Sequence, residues 1–338
     1  MESRIAVIGA GSWGTTLASI ASGRIATTLW ARREALALTI NSQHANPDYL
    51  PDVALPVSLH ATSSLREAAN GATMVIMGVP SHGMREVAAK LAPHIGNDVA
   101  VISLSKGLER SSHARMTQVL AEELPGRPLG VLTGPNLARE IAAGQPAATV
   151  VATADPAVGS AVQSLLHTDR LRIYTNPDVV GCEMAGAIKN VLALAAGMSV
   201  GLGLGDSSLA ALVTRGLAEM GRLVVAMGGD PLTVASLAGV GDLVATCTSP
   251  LSRNRSVGVA LGSGRAVQEV LADMRMVAEG VKSARPLVEL ADGLGVEMPI
   301  SEQVADVVEG RCTAAGSLGS LMARSAKPEF VPWDKLST

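Results

Sequence analysis

The chain contains few cysteines, and they lie far apart. Among 338 residues there are three, Cys182, Cys247 and Cys312, at intervals of about 65 residues. No pair has the short spacing of a zinc site or a redox motif, so we expect no metal. The three side chains are predicted to be small core residues in a reducing compartment.

The chain also lacks a long run of basic residues. Its formal net charge is −3, and lysine and arginine are dispersed along its length. Proteins that bind nucleic acid or an anionic membrane need a basic patch. We therefore expect neither partner, and a small ligand or a protein partner is favoured.

We expect neither a signal peptide nor a membrane span. Met1-Glu2-Ser3-Arg4 leads directly into an apolar run at residues 5–8, which leaves no room for the parts of a signal peptide. The longest uncharged stretch, residues 190–205, is too short and too rich in glycine to cross a bilayer comfortably. We predict a buried helix end followed by a loop there, and a cytoplasmic protein.

The two halves of the chain carry different patterns. In the first half, short apolar runs alternate with helical patterns, which indicates an α/β domain with a mainly parallel sheet. After residue 178, segments rich in Ala, Leu, Val and Met predict an all-α domain. We therefore expect a Rossmann-type domain in residues 1–178, an all-helical domain in residues 179–330 and a tail in residues 331–338. The predicted strands lie at residues 5–8, 25–30, 74–79, 99–104, 129–133 and 148–152.

A glycine-rich turn follows the first predicted strand. Gly9, Gly11 and Gly14 have the spacing of the dinucleotide-binding fingerprint, and they lie between a strand and a helix as that motif requires. The first glycine would allow the turn, the second would admit the pyrophosphate and the third would allow close packing. An ordinary tight turn without a ligand is the alternative. Trp13 is either a core residue or a ring lying against the cofactor.

The end of the second predicted strand bears on the choice of cofactor. NAD-specific sites usually place an acidic residue about 20 residues after the fingerprint. Here Arg32 and Arg33 precede Glu34. Because guanidinium groups form charge-assisted hydrogen bonds with phosphate, NADP(H) is favoured, and NAD(H) stays open. Two solvated surface arginines would give the same pattern.

Two lysines are candidate catalytic residues. Lys189 lies within residues 183–194, a segment that is apolar almost all round. Burial disfavours the charged ammonium, which suits Lys189 to exchange a proton with a carbonyl or an alcohol. Lys106 follows a predicted strand, at the sheet edge where such folds bind ligands. The alternatives are a lysine that reaches the surface and a solvated loop lysine.

Polar residues gather in two short segments of the second half. Asp242 follows Gly241, and Ser252, Arg253 and Asn254 precede Arg255. A carboxylate, hydroxyls, an amide and cations suit a small phosphate ester. Taken separately, Asp242 could be a helix cap, and residues 252–254 could be a polar loop.

These motifs, in this order, resemble those of bacterial NAD(P)-dependent sn-glycerol-3-phosphate dehydrogenases, whose second domain is of the 6-phosphogluconate dehydrogenase type. The resemblance covers nearly the whole chain. The matching blocks are residues 9–14, 79–81, 105–107, 134–135, 183–190, 241–243, 252–255 and 279–281.

The resemblance implies a role for individual residues. Lys189 would be the catalytic acid/base, with Lys106 and Asp242 positioning the substrate and the lysine. The site would span the domain cleft. The substrate would contact Lys106, Gly134, Asn136, Asp242, Ser252, Arg253 and Asn254. The cofactor would contact Gly9, Gly11, Ser12, Trp13, Gly14, Arg32, Arg33, Lys106, Ala138, Arg253, Val277 and Glu279.

The resemblance also implies an activity. The chain would reduce dihydroxyacetone phosphate to sn-glycerol 3-phosphate by reversible hydride transfer, for phospholipid synthesis, and would form a homodimer. Two alternatives stay open: a related two-domain dehydrogenase acting on a ketoacid or hydroxyacid, and a catalytically weak NADP-binding protein. The first shares the fold and a lysine on the first helix of the second domain, and two departures from the family pattern motivate the second. Asn136 stands where the family usually has Ser, and Ser207-Ser208-Leu209 stands where it has an Asn-Thr-Lys run.

Overall fold

The computed structural model describes residues 3–273, 278–326 and 328–329. The chain forms two compact units. The first comprises Met1–Ser105 and Met116–Val179, and the second comprises Lys106–Arg115 and Val180–Thr338. The helical unit therefore includes a short segment from the first half of the chain, which no sequence pattern indicated. The predicted tail at residues 331–338 lies outside the described residues.

The first unit is built on one eight-stranded sheet with the order β10-β9-β8-β7-β6-β1-β2-β5. Only the β8–β9 pairing is antiparallel among the pairings of this sheet within the described residues, so the predicted mainly parallel, Rossmann-type sheet is confirmed. A separate antiparallel hairpin pairs β3 with β4. The strands are β1 Arg4–Ile8, β2 Ala26–Trp30, β3 Ala45–Asn46, β4 Leu50–Ala54, β5 His60–Thr62, β6 Met74–Met77, β7 Ala100–Ser103, β8 Leu129–Thr133, β9 Ala147–Thr153 and β10 Leu171–Asn176.

The central strands β1, β6 and β7 are buried along almost their whole length, because helices cover both faces of a parallel sheet. This burial explains why continuous apolar runs located them in the sequence. The helices of the first unit are α1 Ser12–Ser22, α2 Glu34–Gln43, α3 Leu65–Ala69, α4 Met84–Leu91, α5 Met116–Glu123, α6 Ala138–Ala142 and α7 Pro156–Leu166.

Four strands were not predicted, namely β3, β4, β5 and β10. Three of them are short or belong to the separate hairpin. The fourth, β10, is an edge strand in which Leu171 and Ile173 are buried while Arg172 and Tyr174 are exposed. Its apolar residues alternate instead of forming a run, since only one face of this strand packs on the core.

The second unit is helical apart from an isolated bridge between Leu108 and Arg115, which confirms the predicted all-α domain within the described residues. A short π-helical turn, Leu237–Gly241, precedes α11. The helices are α8 Val179–Gly201, α9 Asp206–Ala226, α10 Pro231–Val234, α11 Asp242–Thr248, α12 Arg253–Gly262, α13 Val267–Ala272, α14 Glu279–Gly293, α15 Pro299–Val308 and α16 Ala314–Met322.

The longest helix, α8, forms the centre of the second core. It is long and apolar enough to cross a membrane by length and composition, as is the stretch Pro231–Thr248. However, 89% of the most apolar window of α8 is buried inside the protein, against 44% for the other stretch. Because the core helix of a globular unit has the same composition, the burial indicates a core helix for α8.

A buried carboxylate joins α9 to the start of α15. The Glu219 side chain accepts hydrogen bonds from the backbone N–H groups of Ile300 at 2.6 Å and Ser301 at 3.2 Å, and from the Ser301 hydroxyl at 3.1 Å. These are N–H groups of the first helical turn, which have no partner within a helix. Burial nevertheless raises the pKa of Glu219 to about 7.

This raised pKa predicts a pH-dependent stability. A carboxyl group whose pKa rises from 4.5 to about 7 on folding stabilises the fold most below pH 4.5, and that contribution is lost as the pH rises through 7. Glu219→Gln cannot titrate. The free energy of unfolding of the wild type, relative to that of Glu219→Gln, should therefore fall by on the order of 2 kcal/mol between about pH 5 and pH 8. Urea unfolding of both proteins measures it, and a constant difference would contradict the assignment.

Candidate active site

The predicted glycine turn connects β1 to α1. Gly9 has a φ of +123°, and an added Cβ there would lie 2.5 Å from the Gly78 carbonyl oxygen. At Gly14 an added Cβ would lie 2.1 Å from the Gly9 oxygen, whereas at Gly11 it would meet no described atom within 4 Å. Two glycines are thus required by the packing of the protein itself. Gly11 instead leaves open space at the amino end of α1, where backbone N–H groups favour an anion.

Two polar side chains hold this turn in place. Asn46 is fully buried, and its Nδ2 donates to the Ala10 carbonyl at 3.0 Å and to Thr15 Oγ1 at 2.8 Å. Ser12 Oγ donates to the Tyr49 carbonyl at 2.7 Å. Asn46 was not predicted to take part, because no motif indicates a partner 36 residues away.

Trp13 and Ala138, both predicted to contact the cofactor, lie beside α1. Trp13 is half-buried and packs against the apolar core of the first unit. Its Nε1 is buried with no hydrogen-bond partner among the described residues. The Ala138 carbonyl accepts a hydrogen bond from Thr16 at 3.3 Å, which links the start of α6 to α1.

Arg32 and Arg33 follow β2 and are both exposed. Arg33 forms an ion pair with Asp48, whose hydrogen bond raises the pKa of the Arg33 guanidinium. Among the described residues, no hydrogen bond or ion pair involves Arg32. Arg32 therefore has its charge available for an added phosphate, whereas Arg33 already shares its charge with a carboxylate.

The segment after β8 contains two predicted substrate residues. Gly134 has a φ of +138°, and a side chain there would crowd the backbone of Thr149 at 3.2 Å. Asn136 Nδ2 donates to Thr149 Oγ1 at 2.9 Å. The Asn136 Oδ1 is buried and accepts no hydrogen bond from the described residues. Asn136 thus keeps an acceptor, so this departure from the family serine preserves a polar group.

In the second unit, one carboxylate is shared by two lysines. Asp242 is 2% exposed; its Oδ2 accepts from Lys106 Nζ at 2.6 Å and its Oδ1 accepts from Lys189 Nζ at 2.8 Å. Lys189 Nζ also donates to Thr246 Oγ1 at 2.7 Å. Lys189 is 6% exposed, which confirms that the segment around it is a buried helix. The structure therefore brings together three residues that are far apart in the sequence.

The charges of this cluster change one another's pKa values. Burial lowers the pKa of Lys106 to about 8, although Asp242 opposes the shift. Burial alone would raise the pKa of Asp242, but Lys106 and Lys189 hold it below its usual range. Asp242 therefore stays ionised while Lys106 can gain or lose a proton within about one unit of neutral pH. Such a pair is typical of sites of proton transfer.

A chain of amide hydrogen bonds supports this cluster. Asn190 Nδ2 donates to the Lys106 carbonyl at 2.9 Å, and Asn254 Nδ2 donates to Asn190 Oδ1 at 2.9 Å. Asn254 Oδ1 in turn accepts from the Gly280 N–H at 3.0 Å. Asn254, predicted to bind substrate, thus also holds α12 and α14 to α8. No role was predicted for Asn190, although it lies next to Lys189.

Glycines bring α12 close to α8. An added Cβ at Gly197 would lie 2.1 Å from the Arg255 carbonyl oxygen, and one at Gly258 would lie 2.1 Å from the Leu194 oxygen. The backbones therefore touch directly. Ser252 begins α12 as its cap, since its Oγ accepts from the Arg255 N–H at 3.3 Å. Residues 253–254 are helical, which excludes the alternative of a polar loop for them.

Arg253 and Glu279 lie at the starts of α12 and α14. Burial lowers the pKa of the Arg253 guanidinium, and the charge of Glu279 opposes that shift. The Arg253 side chain is nevertheless exposed, and a guanidinium at a helix start is suited to bind a phosphate. Val277, the remaining predicted cofactor residue, lies outside the described residues.

The cysteines take no part in this chemistry. Cys182 and Cys247 are buried, Cys312 is partly exposed, and all three are free thiols. Burial raises the pKa of Cys247 to about 12, so its nucleophilic thiolate is suppressed. Within the described residues, no group of three or more His, Cys, Asp or Glu side chains could hold a metal ion.

A dinucleotide turn in one unit and a buried lysine–aspartate cluster in a helical unit define a two-unit nicotinamide-dependent dehydrogenase. Comparison with known proteins is more specific. Family models described as the N-terminus and the C-terminus of NAD-dependent glycerol-3-phosphate dehydrogenase match residues 4–159 and 178–317. The chain therefore belongs to the NAD-dependent glycerol-3-phosphate dehydrogenase family and is an NAD(P)-dependent oxidoreductase.

Individual relatives agree with this assignment. The chain is 51% identical to glycerol-3-phosphate dehydrogenase 2, NAD(P)+ type, of Sphingopyxis alaskensis, over 98% of this chain and 100% of that protein. It is 52% identical to the corresponding enzyme of Parafrankia sp., over 97% and 99%. The crystal structure of glycerol-3-phosphate dehydrogenase from Coxiella burnetii covers 96% of this chain and 99% of its own, with a TM-score of 0.92 and 36% identity.

The second departure from the family pattern lies in the first turn of α9. Ser207 and Ser208 are exposed there, while Leu209 is partly buried and packs against the apolar core of the second unit. A leucine at this position therefore contributes to packing where the family pattern has a cation. The packing explains how the fold accommodates the change.

The glycine turn yields a prediction that separates folding from cofactor binding. Gly11→Ala should fold with an unchanged melting temperature, because the added methyl group meets only open space. It should nevertheless lose about tenfold or more in NADPH affinity, equivalent to about 1.4 kcal/mol or more, because the methyl group occupies the space left for the pyrophosphate. Fluorescence titration with NADPH and thermal unfolding measure the two effects.

Gly14→Ala is the matched control for this prediction. Its Cβ would collide with backbone, so it should lose stability, by about 1–3 kcal/mol, together with affinity. A Gly11→Ala protein that binds NADPH as the wild type does would contradict the assignment of this space to the cofactor.

Proposed function

We propose that this chain reduces dihydroxyacetone phosphate to sn-glycerol 3-phosphate, reversibly, using NADPH in preference to NADH. The observation that carries this proposal is the Asp242 carboxylate shared by the buried Lys189 and the partly buried Lys106. Reduction of a ketone requires a proton donor beside the developing alkoxide, and this cluster can supply one. The names of the relatives support the choice of substrate pair.

Lys189 is the proposed proton donor. Its ammonium group is held by Asp242 Oδ1 and Thr246 Oγ1, which leaves one of its three N–H bonds for the substrate oxygen. Lys106 adds a second positive charge on the other carboxylate oxygen, so the alkoxide would form next to two cations.

The phosphate of the substrate is assigned to the start of α12. Arg253 supplies an accessible guanidinium there, and Ser252 and Asn254 supply polar groups on either side. A bidentate guanidinium–phosphate contact fixes orientation as well as affinity. Gly134 and Asn136 are assigned to the same substrate, with Asn136 Oδ1 as an acceptor for a substrate hydroxyl group.

The cofactor is assigned to the glycine turn and the residues around it. Its nicotinamide, when bound, supplies the hydride. Gly9, Gly11 and Gly14 form the turn, and the open space at Gly11 fits the pyrophosphate. The preference for NADPH is inferred from Arg32, whose charge is available for the 2′-phosphate. The further proposed contacts are Ser12, Trp13, Arg33, Lys106, Ala138, Arg253, Val277 and Glu279.

The direct test follows absorbance of the reduced nicotinamide when dihydroxyacetone phosphate is added to the protein with NADPH or NADH. We expect rapid oxidation with the phosphate ester and none with a panel of ketoacids. The kcat/KM ratio of the two cofactors should favour NADPH. Oxidation with ketoacids alone would indicate a sister dehydrogenase. Cofactor binding without any turnover would indicate a protein that has lost catalysis.

Two substitutions should separate proton transfer from substrate binding. Lys189→Met should lower kcat by about 10²- to 10⁴-fold with little change in substrate binding, since it removes positioned acid–base catalysis. Arg253→Ala should raise KM for dihydroxyacetone phosphate as well as lowering kcat, because it removes both affinity and orientation. Steady-state kinetics measure both, and normal turnover by either variant would exclude its assigned role.

We further propose that the protein acts in the cytoplasm as a homodimer and supplies glycerol phosphate for phospholipid synthesis. Several large apolar side chains on the helical unit are exposed, and a dimer interface would cover such surface. Analytical ultracentrifugation measures the mass in solution, and a monomer would contradict this proposal. The exposed side chains are Leu232, Val244, Leu251, Leu271, Leu294 and Met322.

A further inference from the structure

The segment Lys106–Arg115, here called the lysine loop, is a closed loop that belongs to the helical unit. A bridge between Leu108 and Arg115 closes it, and Glu109 N–H donates to the Ala114 carbonyl at 2.9 Å. The loop thus has two ends that lie side by side. One end carries Lys106, and the other carries Arg115.

Lys106 is fixed by contacts that depend on where the loop lies. Its Nζ donates to Asp242 at 2.6 Å, and its carbonyl accepts from Asn190 at 2.9 Å. A lysine side chain has a flexible stem of four carbons, and immobilising it costs considerable conformational entropy. The ammonium therefore stays on Asp242 only if the loop backbone is held independently of that contact.

The other end of the loop is held by a buried ion pair. Arg115 Nη1 donates to Glu183 Oε2 at 2.5 Å, and the two side chains are 13% and 4% exposed. Glu183 and Asn190 both lie on α8, seven residues apart, which is about two helical turns and about 10 Å. A separation of two turns returns to the same face, so one face of α8 holds both ends of the loop.

A second side-chain contact of the loop, between a histidine and a carboxylate, is different in character. His113 Nε2 lies 3.0 Å from Glu289 Oε2, and the side chains are 29% and 49% exposed. Exposed pairs contribute little because water screens them. Separating a buried pair leaves an uncompensated buried charge, which costs much free energy. The two partners of a buried pair are therefore held together strongly. Arg115–Glu183 is thus the stronger electrostatic anchor of the two, and His113–Glu289 is its natural control.

We propose that Arg115 and Glu183 are positioning residues of the active site, and that their ion pair holds the lysine loop so that Lys106 stays on Asp242. This inference rests on the proposed function of Lys106 and Asp242 in catalysis. Neither residue touches the reacting atoms. Their effect passes through Lys106, and it should be absent when Lys106 is absent.

The first experiment measures the Lys106 amine directly and needs no turnover. Pulse acetylation with acetic anhydride across a pH series, read by mass spectrometry, gives the pH at which Lys106 becomes reactive. In the wild type this midpoint should lie near 8. In Arg115→Met the loop is released and Lys106 becomes solvated, so the midpoint should move towards 10.5, the ordinary value for lysine.

The second experiment tests, by enzyme kinetics, whether the Arg115–Glu183 pair acts through Lys106. Arg115→Met should lower kcat/KM for dihydroxyacetone phosphate by about 10- to 100-fold, as expected for a displaced catalytic group. In a Lys106→Met background the same substitution should change kcat/KM by less than about threefold, because the group through which it acts is gone. Within each background, wild type or Lys106→Met, NADPH affinity should be unchanged by Arg115→Met, because Arg115 is not among the proposed cofactor contacts.

Three further variants separate positioning from general destabilisation. Arg115→Lys keeps the charge and should restore much of the activity and the low midpoint. Glu183→Gln should reproduce Arg115→Met, which keeps the test available if Arg115→Met does not fold. His113→Ala removes only the exposed pair and should leave both the midpoint and the turnover unchanged.

The outcomes distinguish this inference from the proposed function. An unchanged Lys106 midpoint in both Arg115→Met and Glu183→Gln would overturn the inference, as would an equal loss of activity with and without Lys106. A wild type that does not oxidise NADPH with dihydroxyacetone phosphate would instead overturn the proposed function. In that case the shift of the midpoint would still establish that the pair positions Lys106.

Discussion

A single buried carboxylate, Asp242, accepts hydrogen bonds from two lysine side chains, one on each oxygen, and much of the helical unit is arranged to make this possible. A buried charge without a partner is very costly, so neither lysine could remain in place without it. Lys189 comes from the middle of α8, and Lys106 comes from a loop inserted from the first half of the chain. Around the carboxylate, three distant segments meet within hydrogen-bond distance.

Close backbone contacts between helices position the segments that meet at Asp242. Glycines at the crossing of α8 and α12 let the two backbones touch, which brings the start of α12 near Asn190 and Lys189. In the first unit, Gly9 and Gly14 play the equivalent part between strand and helix. In both units a glycine pattern fixes the position of a helix start, and a helix start is where an anion binds well.

The features that the sequence predicted are local in the chain. The turn at Gly9–Gly14 could be predicted because strand, turn and helix follow one another within a few residues. Lys189 was found because a charged residue interrupts an apolar helix. By contrast, Asn46 braces the turn from 36 residues away, and Lys106 reaches Asp242 across 136 residues. The ion pair between Arg115 and Glu183 connects the lysine loop to α8. No pattern within a single sequence indicates that these two residues pair. Edge strand β10 was missed because only one of its faces is buried.

The central claim is that Asp242 holds both lysines in the geometry required for proton transfer. The most direct test is to measure kcat for dihydroxyacetone phosphate reduction and NADPH affinity in Asp242→Asn. This substitution keeps the shape of the side chain but removes its charge. We expect kcat to fall by about 10²- to 10⁴-fold, the usual value of positioned acid–base catalysis. NADPH affinity should fall far less, because most of the proposed cofactor contacts lie in the first unit. An Asp242→Asn protein that turns over at close to the wild-type rate would contradict the account.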